Sequence, residues 1–127
     1  MPVRIYVHIT WTTFERRPMI RQSVLRLLVR FIPAEVARHG GRLLALGIVA
    51  DHVHVVLAAP ARFDIPRLVQ GLKGASARLV NAQSVSSPTG LRWAKGYDGR
   101  SVSPGKLRDA IMYVRAQAQR HPDLAVE

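Results

Sequence analysis

The run RLLALGIVADHVHVVLA, Arg42 to Ala58, decides the fold. Its two apolar segments, Arg42–Val49 and His52–Ala58, are joined only by Ala50 and Asp51, a separation short enough for an antiparallel hairpin. Within the second segment His52 and His54 alternate with Val53 and Val55. On a strand, alternate side chains share a face, so both imidazoles project together and the valines point the other way.

Working outward, Val3–Thr12 sets Val3, Ile5, Val7, Ile9 and Trp11 against Arg4, Tyr6, His8 and Thr10, the period-two pattern of a half-buried strand. From Ile20 the apolar residues at 20, 24, 27, 28 and 31 form a helical stripe. That helix is expected to kink at Pro33 and to stop at Gly40-Gly41. Asp64 can cap a second helix with Ile65, Leu68, Val69, Leu72 and Leu79 on one face and Arg67, Gln70, Lys73 and Arg78 outside it. Leu91–Tyr97 reads as a further strand, and Ser103-Pro104 opens a last helix to about Arg120. The order β-α-β-β-α-β-α predicts an α+β class: a ferredoxin-like, split-βαβ antiparallel sheet with helices packed on it. Ser84–Gly90 (SVSSPTG) reads as a surface loop, and residues 1–127 as one domain.

Composition narrows the functional classes. Nineteen Lys and Arg against eight Asp and Glu leave a net charge of +11, with basic residues divided nine and ten between 1–63 and 64–127. A folded basic surface suited to a polyanion follows, more than a basic tail. Sixteen of the nineteen are Arg, which forks onto phosphates. With no cysteine in the chain, disulfides, thiolate metal sites and a cysteine nucleophile are excluded. No apolar stretch approaches the roughly 18–20 residues of a membrane span, and no secretory signal pattern opens the sequence.

Two features carry chemistry. The His52/His54 pair offers two nitrogen ligands at one point, an incomplete metal site that needs a third group and open positions for substrate or water. On the last helix Leu107, Ala110, Ile111, Val114 and Ala118 share a core direction, while Tyr113 and Gln117 fall to one side, four apart and so neighbours on the helix surface. A phenol and an amide oxygen can thus face one site. Against a phosphodiester, a tyrosine nucleophile would leave a phosphotyrosine that retains the bond energy for rejoining.

Taken together these residues resemble the single-tyrosine HUH transposases of small bacterial insertion sequences, including their REP-associated relatives. The resemblance rests on His8-Ile9-Thr10-Trp11-Thr12-Thr13 with Arg16-Arg17-Pro18, Asp51-His52-Val53-His54, Leu68-Val69-Gln70-Gly71-Leu72-Lys73-Gly74, Gly96-Tyr97, Ser101-Val102-Ser103, and Tyr113 with Gln117 and His121. It implies a metal held by His52, His54 and Gln117, with Mg²⁺ or Mn²⁺ as the expected ion. It implies Tyr113 as the nucleophile that becomes joined to a DNA 5′ end and frees a 3′ hydroxyl, with His8 in a supporting place. It further implies single-stranded DNA, often a hairpin at an element end, as partner. A homodimer whose sites are completed in trans and a bacterial cytoplasmic, nucleoid-associated location follow from the same resemblance.

Arg67, Lys73, Arg78, Arg92 and Lys95 are the candidate phosphate contacts, and Trp11, Trp93, Tyr97 and Phe14 the candidates for stacking a base. The chain departs from the family pattern at Phe14 and Glu15, where a basic and an aromatic residue are usual. It departs again at Arg100, where an aromatic is usual, and at Ala118 and Gln119, where acids often follow the glutamine. Two other classes fit the same residues: a domesticated single-stranded DNA hairpin-binding protein that no longer transposes, and a metal-dependent hydrolase using activated water.

Overall fold

The computed structural model describes residues 4–83 and 90–117. Its elements are β1 (Arg4–Thr12), α1 (Gln22–Arg38), β2 (Arg42–Ile48), β3 (His52–Pro60), α2 (Ile65–Ala82), β4 (Asp98–Val102) and α3 (Leu107–Arg115). Single 3₁₀ turns at Phe14–Arg16 and Pro104–Lys106 follow β1 and precede α3. The sheet runs β2-β3-β1-β4 with every neighbouring pair antiparallel. This is the expected α+β, split-βαβ arrangement, with the C-terminal helix carrying Tyr113.

β3 lies centrally and is buried from His52 to Ala59, which explains why it reads as a nearly unbroken apolar run. Val53, Val55 and Leu57 pack with Val7, Ile9 and Trp11 of β1 against α1 and α2. The opposite face carries Ala45 and Val56 and is closed by Val114, with Leu107, Ala110 and Ile111 alongside. The molecule is therefore three layers: α1 and α2, the sheet, then α3. Val24, Leu28, Ile32 and Val36, each four apart, form the buried seam of α1, and the helix continues through Pro33, which stays on its exposed side. Asp64 caps α2 by accepting from the Arg67 backbone N–H at 3.1 Å.

Three expectations need correcting. The fourth strand is Asp98–Val102, not Leu91–Tyr97; the latter segment touches the sheet through one bridge, Thr13 to Trp93. Its apolar residues serve the core end: the Trp93 ring meets Trp11 edge-on at 6.0 Å, and its Nε1 donates to Ser76 Oγ at 2.9 Å. Leu79 is 39% exposed rather than part of the α2 seam, which turns inward at Ser76 and Val80 instead. The last helix, expected from Ser103-Pro104 to about Arg120, is a 3₁₀ turn followed by an α-helix that ends at Arg115; Val3, most of the SVSSPTG segment and residues 118–127 lie outside the described residues.

α1 and α2 approach closely at Gly71, where any Cβ would overlap Glu35 Oε2. Glu35 is buried there, accepting from Arg38 Nε and Nη2 at 2.9 Å each and lying 3.2 Å from His39 Nε2. The Arg38 hydrogen bond holds the Glu35 carboxyl below its ordinary pKa against the opposing effect of burial, with His39 adding to the depression. A depressed carboxyl stabilises the fold above the unfolded-state pKa, and that contribution is lost as pH falls through the folded value. Glu35→Gln is therefore expected to lower Tm by a few degrees at pH 7, with the difference from wild type closing below the ordinary glutamate pKa. A gap that stays constant from pH 7 to pH 3 in thermal melts would refute the charged role.

Candidate active site

The strand register assembles the site. His54 pairs with Thr10 across β1 and with Gly47 across β2; His8 pairs with Val56 and Arg100. Directly paired residues share a face, so His8, Thr10, His52 and His54 all project toward α3, as the alternation of β1 and β3 requires. The rings of His52 and His54 lie 4.9 Å apart, and Tyr113 stands 5.8 Å from His54 and 6.2 Å from His8, edge-on to both. Tyr113 is 37% exposed. It lines an open cleft of about 640 Å³ with His8, Thr10, His54, Arg100 and Lys106.

Each histidine of the pair is oriented at Nδ1. His52 Nδ1 donates to Asp51 Oδ1 at 2.7 Å, and Arg16 Nε approaches the other carboxylate oxygen at 3.4 Å. Thr13 ties β1 to this turn, its N–H donating to the Asp51 carbonyl at 2.9 Å, while left-handed backbone at Glu15 and Arg16 (φ 52° and 53°) turns the chain back toward Asp51. His54 Nδ1 lies 2.9 Å from both His8 Nε2 and Thr10 Oγ1. A second group that fixes a histidine at one ring nitrogen is the usual accompaniment of a ligating imidazole. Burial holds the His8 imidazole below its ordinary pKa, with Asp98 raising it and Arg100 lowering it.

Gln117 lies just beyond α3, on the side of the sheet that carries the histidines. It is 1% exposed, its Nε2 donates to the Tyr113 carbonyl at 3.0 Å, and its Oε1 is buried without a hydrogen-bond partner among the described residues. An orphaned buried amide oxygen is costly and suits a ligand of its own. Its position follows from Gly47, opposite His54: a Cβ there would overlap the Val114 carbonyl and reach Gln117 Cγ at 3.2 Å. Among the described residues no three His, Cys, Asp or Glu converge as a metal cage; the donor set is two imidazoles and an amide. That set fits a cation with open positions.

The candidate phosphate contacts lie elsewhere. Arg67, Lys73 and Arg78 ride on α2, which packs on the sheet face opposite the histidines. Lys73 Nζ donates to the Ala94 and Gly96 carbonyls at 2.6 and 2.9 Å, pinning the segment before β4, and burial lowers its pKa. Arg92 covers the Phe14 ring at 3.9 Å, while Lys95 is exposed on the pinned segment. Trp11 is 2% exposed, Trp93 is engaged with it and Ser76, and Phe14 is half-buried beneath Arg92, so of the stacking candidates Tyr97, 41% exposed, offers the accessible ring. Sequence reasoning passed over Gly47 and Lys106 and named Thr10 and Arg100 only as a strand-face neighbour of His8 and a departure from the family pattern; the register of an edge strand and a backbone approach leave no apolar periodicity to place them in the site.

A split-βαβ sheet bearing a histidine pair, covered on that face by a tyrosine helix, has the architecture of the tyrosine transposases. A REP-associated tyrosine transposase bound to a REP hairpin superposes with TM-score 0.75 at 11% identity, covering 95% of this chain and 71% of that one. The chain belongs to the IS200-like transposase family, whose sequence model it matches over residues 2–117. A Deinococcus radiodurans R1 crystal structure assigned as a transposase superposes with TM-score 0.71 at 27% identity over 100% of this chain and 95% of that one. The ISDra2 transposase TnpA of Deinococcus radiodurans is 32% identical over 71 residues, 56% of this chain and about half, 51%, of that relative.

The approach at Gly47 makes a sharp test of how α3 is seated. Overfilling a packed contact costs about 1–3 kcal/mol, more readily relieved by lifting a nine-residue helix than by moving the central sheet. Gly47→Ala should therefore accelerate amide exchange along Leu107–Arg115 while Val24–Val36 of α1 keep their protection. Wild-type protection in α3 would mean that the helix does not depend on that gap.

Proposed function

We propose that this chain is a metal-dependent, single-strand-specific DNA endonuclease and strand transferase in which Tyr113 is the nucleophile. The observation that carries the reading is the meeting, within one chain, of the Tyr113 ring and His54 on one cleft, with the His52 ring 4.9 Å from that of His54 and Gln117 seated beside Gly47, the residue opposite His54. Family membership supports it. His52, His54 and Gln117 would hold Mg²⁺ or Mn²⁺, which when bound supplies Lewis acidity to a phosphoryl oxygen and orients the phosphate.

The chain's own residues do the rest. The Tyr113 phenolic oxygen attacks phosphorus in line, giving up its proton; the bond to the 3′ oxygen breaks, and that oxygen takes a proton as it leaves. One phosphate ester is exchanged for another, so the 5′-phosphotyrosine retains the energy for rejoining when a 3′ hydroxyl attacks in turn. Asp51 and the His8/Thr10 pair hold the imidazoles in orientation. Ala110 and Val114 keep the phenol over the cleft, and Arg67, Lys73, Arg78, Arg92 and Lys95 supply charge for binding away from the chemistry. The expected partner is single-stranded DNA with hairpin ends.

Labelled single-stranded DNA from the flanks of the chain's own gene, incubated with and without Mg²⁺ or Mn²⁺, tests this on a denaturing gel. A covalent protein–DNA band is expected, lost in Tyr113→Phe by at least two orders of magnitude. His52→Ala and His54→Ala should abolish it while sparing most salt-sensitive binding, which rests on counterion release. Band shift without cleavage would favour the domesticated binding protein, and cleavage surviving Tyr113→Phe the water-using hydrolase.

The homodimer belongs to the same proposal. Here Tyr113 lies over its own chain's histidines, so a trans site requires α3 to change partners. Mixing Tyr113→Phe with His54→Ala protein decides between the arrangements: restored cleavage requires trans completion, and two inactive variants that stay inactive together require cis.

A further inference from the structure

We propose that Arg100 binds a backbone phosphate of the DNA strand beside the one Tyr113 attacks, and thereby positions the strand in the cleft. The inference rests on the strand cleavage proposed above but adds a contact at a position where this chain departs from its family's pattern. β4 is an edge strand, and in its pairing with β1 Arg100 stands opposite His8 and Asp98 opposite Thr10. Paired residues share a face, so Arg100 rises from the same side of the sheet as His8 and His54. Both Arg100 and Asp98 line the cleft that holds His8, His54 and Tyr113.

The guanidinium is available for exchange. Its Nε bonds Asp98 Oδ2 at 2.9 Å, but the two side chains are 75% and 59% exposed, and exposed pairs of this kind contribute little. A phosphate offers two charged oxygens to the arginine fork, a better-matched partner than one carboxylate oxygen. The local balance also demands it. Asp98 and Asp109 face the cleft with only Arg100 and Lys106 as permanently charged cations among its lining residues. Without Arg100 the carboxylates outnumber the cations, and a polyanion meets repulsion at the site of its own cleavage.

Affinity for a fluorescein-labelled single strand from the gene's flanks, measured across salt concentrations without divalent metal, tests the contact independently of cleavage. Arg100→Ala should reduce the slope of log K against log salt by about 0.7, the value of one single-strand phosphate contact, and Arg100→Lys should restore it. Asp98→Asn should tighten binding in the wild-type background and less so beside Arg100→Ala. An unchanged slope in Arg100→Ala, with an unchanged thermal melt showing it folded, overturns the proposal.

A cleavage assay places the contact. Replacing the phosphate next to the cleaved bond by a neutral methylphosphonate should slow wild type and add no further loss in Arg100→Ala. Independent losses at every neighbouring position overturn the positioning role. If no covalent adduct forms with any protein, the Tyr113 reading fails while the salt slope still decides whether Arg100 binds phosphate.

Discussion

Burial of β3 on both faces is the constraint from which the remainder of the structure follows. A strand whose side chains alternate must satisfy two different neighbours at once. Toward α1 and α2 it presents Val53, Val55 and Leu57, and toward α3 it presents His52, His54 and Val56. The first face is a dry core of ordinary kind. The second is half apolar and half imidazole, so α3 cannot be a simple lid: Val114 seals over Val56 and Ala45 while Tyr113, on the same helix, meets the polar half and Gln117 is buried just past the helix end.

The polar half is held by a chain of contacts that begins outside the sheet. Thr13 hydrogen-bonds the Asp51 backbone, Asp51 accepts from His52, and Arg16 braces the carboxylate from a left-handed turn. A left-handed backbone at a residue other than glycine carries strain, and its retention at two successive positions beside the histidines is consistent with a site that needs Asp51 in one orientation. His54 is braced by neutral groups, His8 and Thr10, instead of a carboxylate. The two rings are therefore oriented by different partners, a carboxylate for His52 and an imidazole with a hydroxyl for His54. The same low-dielectric setting explains why the bare Gln117 oxygen is informative, since a buried acceptor left unmatched there is expensive.

Much of this was legible in the residues. The hairpin, the shared face of the histidines and the neighbouring placement of Tyr113 and Gln117 all follow from periods of two and 3.6, which survive whenever one side of an element is dry. β4 escaped because Asp98-Gly99-Arg100-Ser101-Val102 is almost wholly exposed and an edge strand needs no apolar face; charge on such an edge guards it instead. Leu91 and Trp93 attracted the strand assignment because they are apolar for a different reason, closing the core end beside Trp11 and Ser76. Gly47 could not be read at all, for its meaning lies in the Val114 carbonyl, 67 positions on in the chain and brought near by the fold, not by pattern.

Charge and chemistry are also partitioned by the sheet. Arg26, Arg30, Arg38, Arg67 and Arg78 are exposed on the two-helix layer, where Asp64 is exposed and Glu35 is buried beneath Arg38. The cleft on the other side balances Arg100 and Lys106 against Asp98 and Asp109. Long-range attraction of a polyanion is thus strongest away from the tyrosine, and it falls with ionic strength because exposed charges are screened. On the proposed function, a strand drawn to the helical layer would still have to pass an edge of the sheet to reach His54. β4 is the edge beside β1, short and polar, and it carries Arg100 on the side facing the cleft. General affinity and local placement would then call on different arginines, and a composition of +11 would measure only the first.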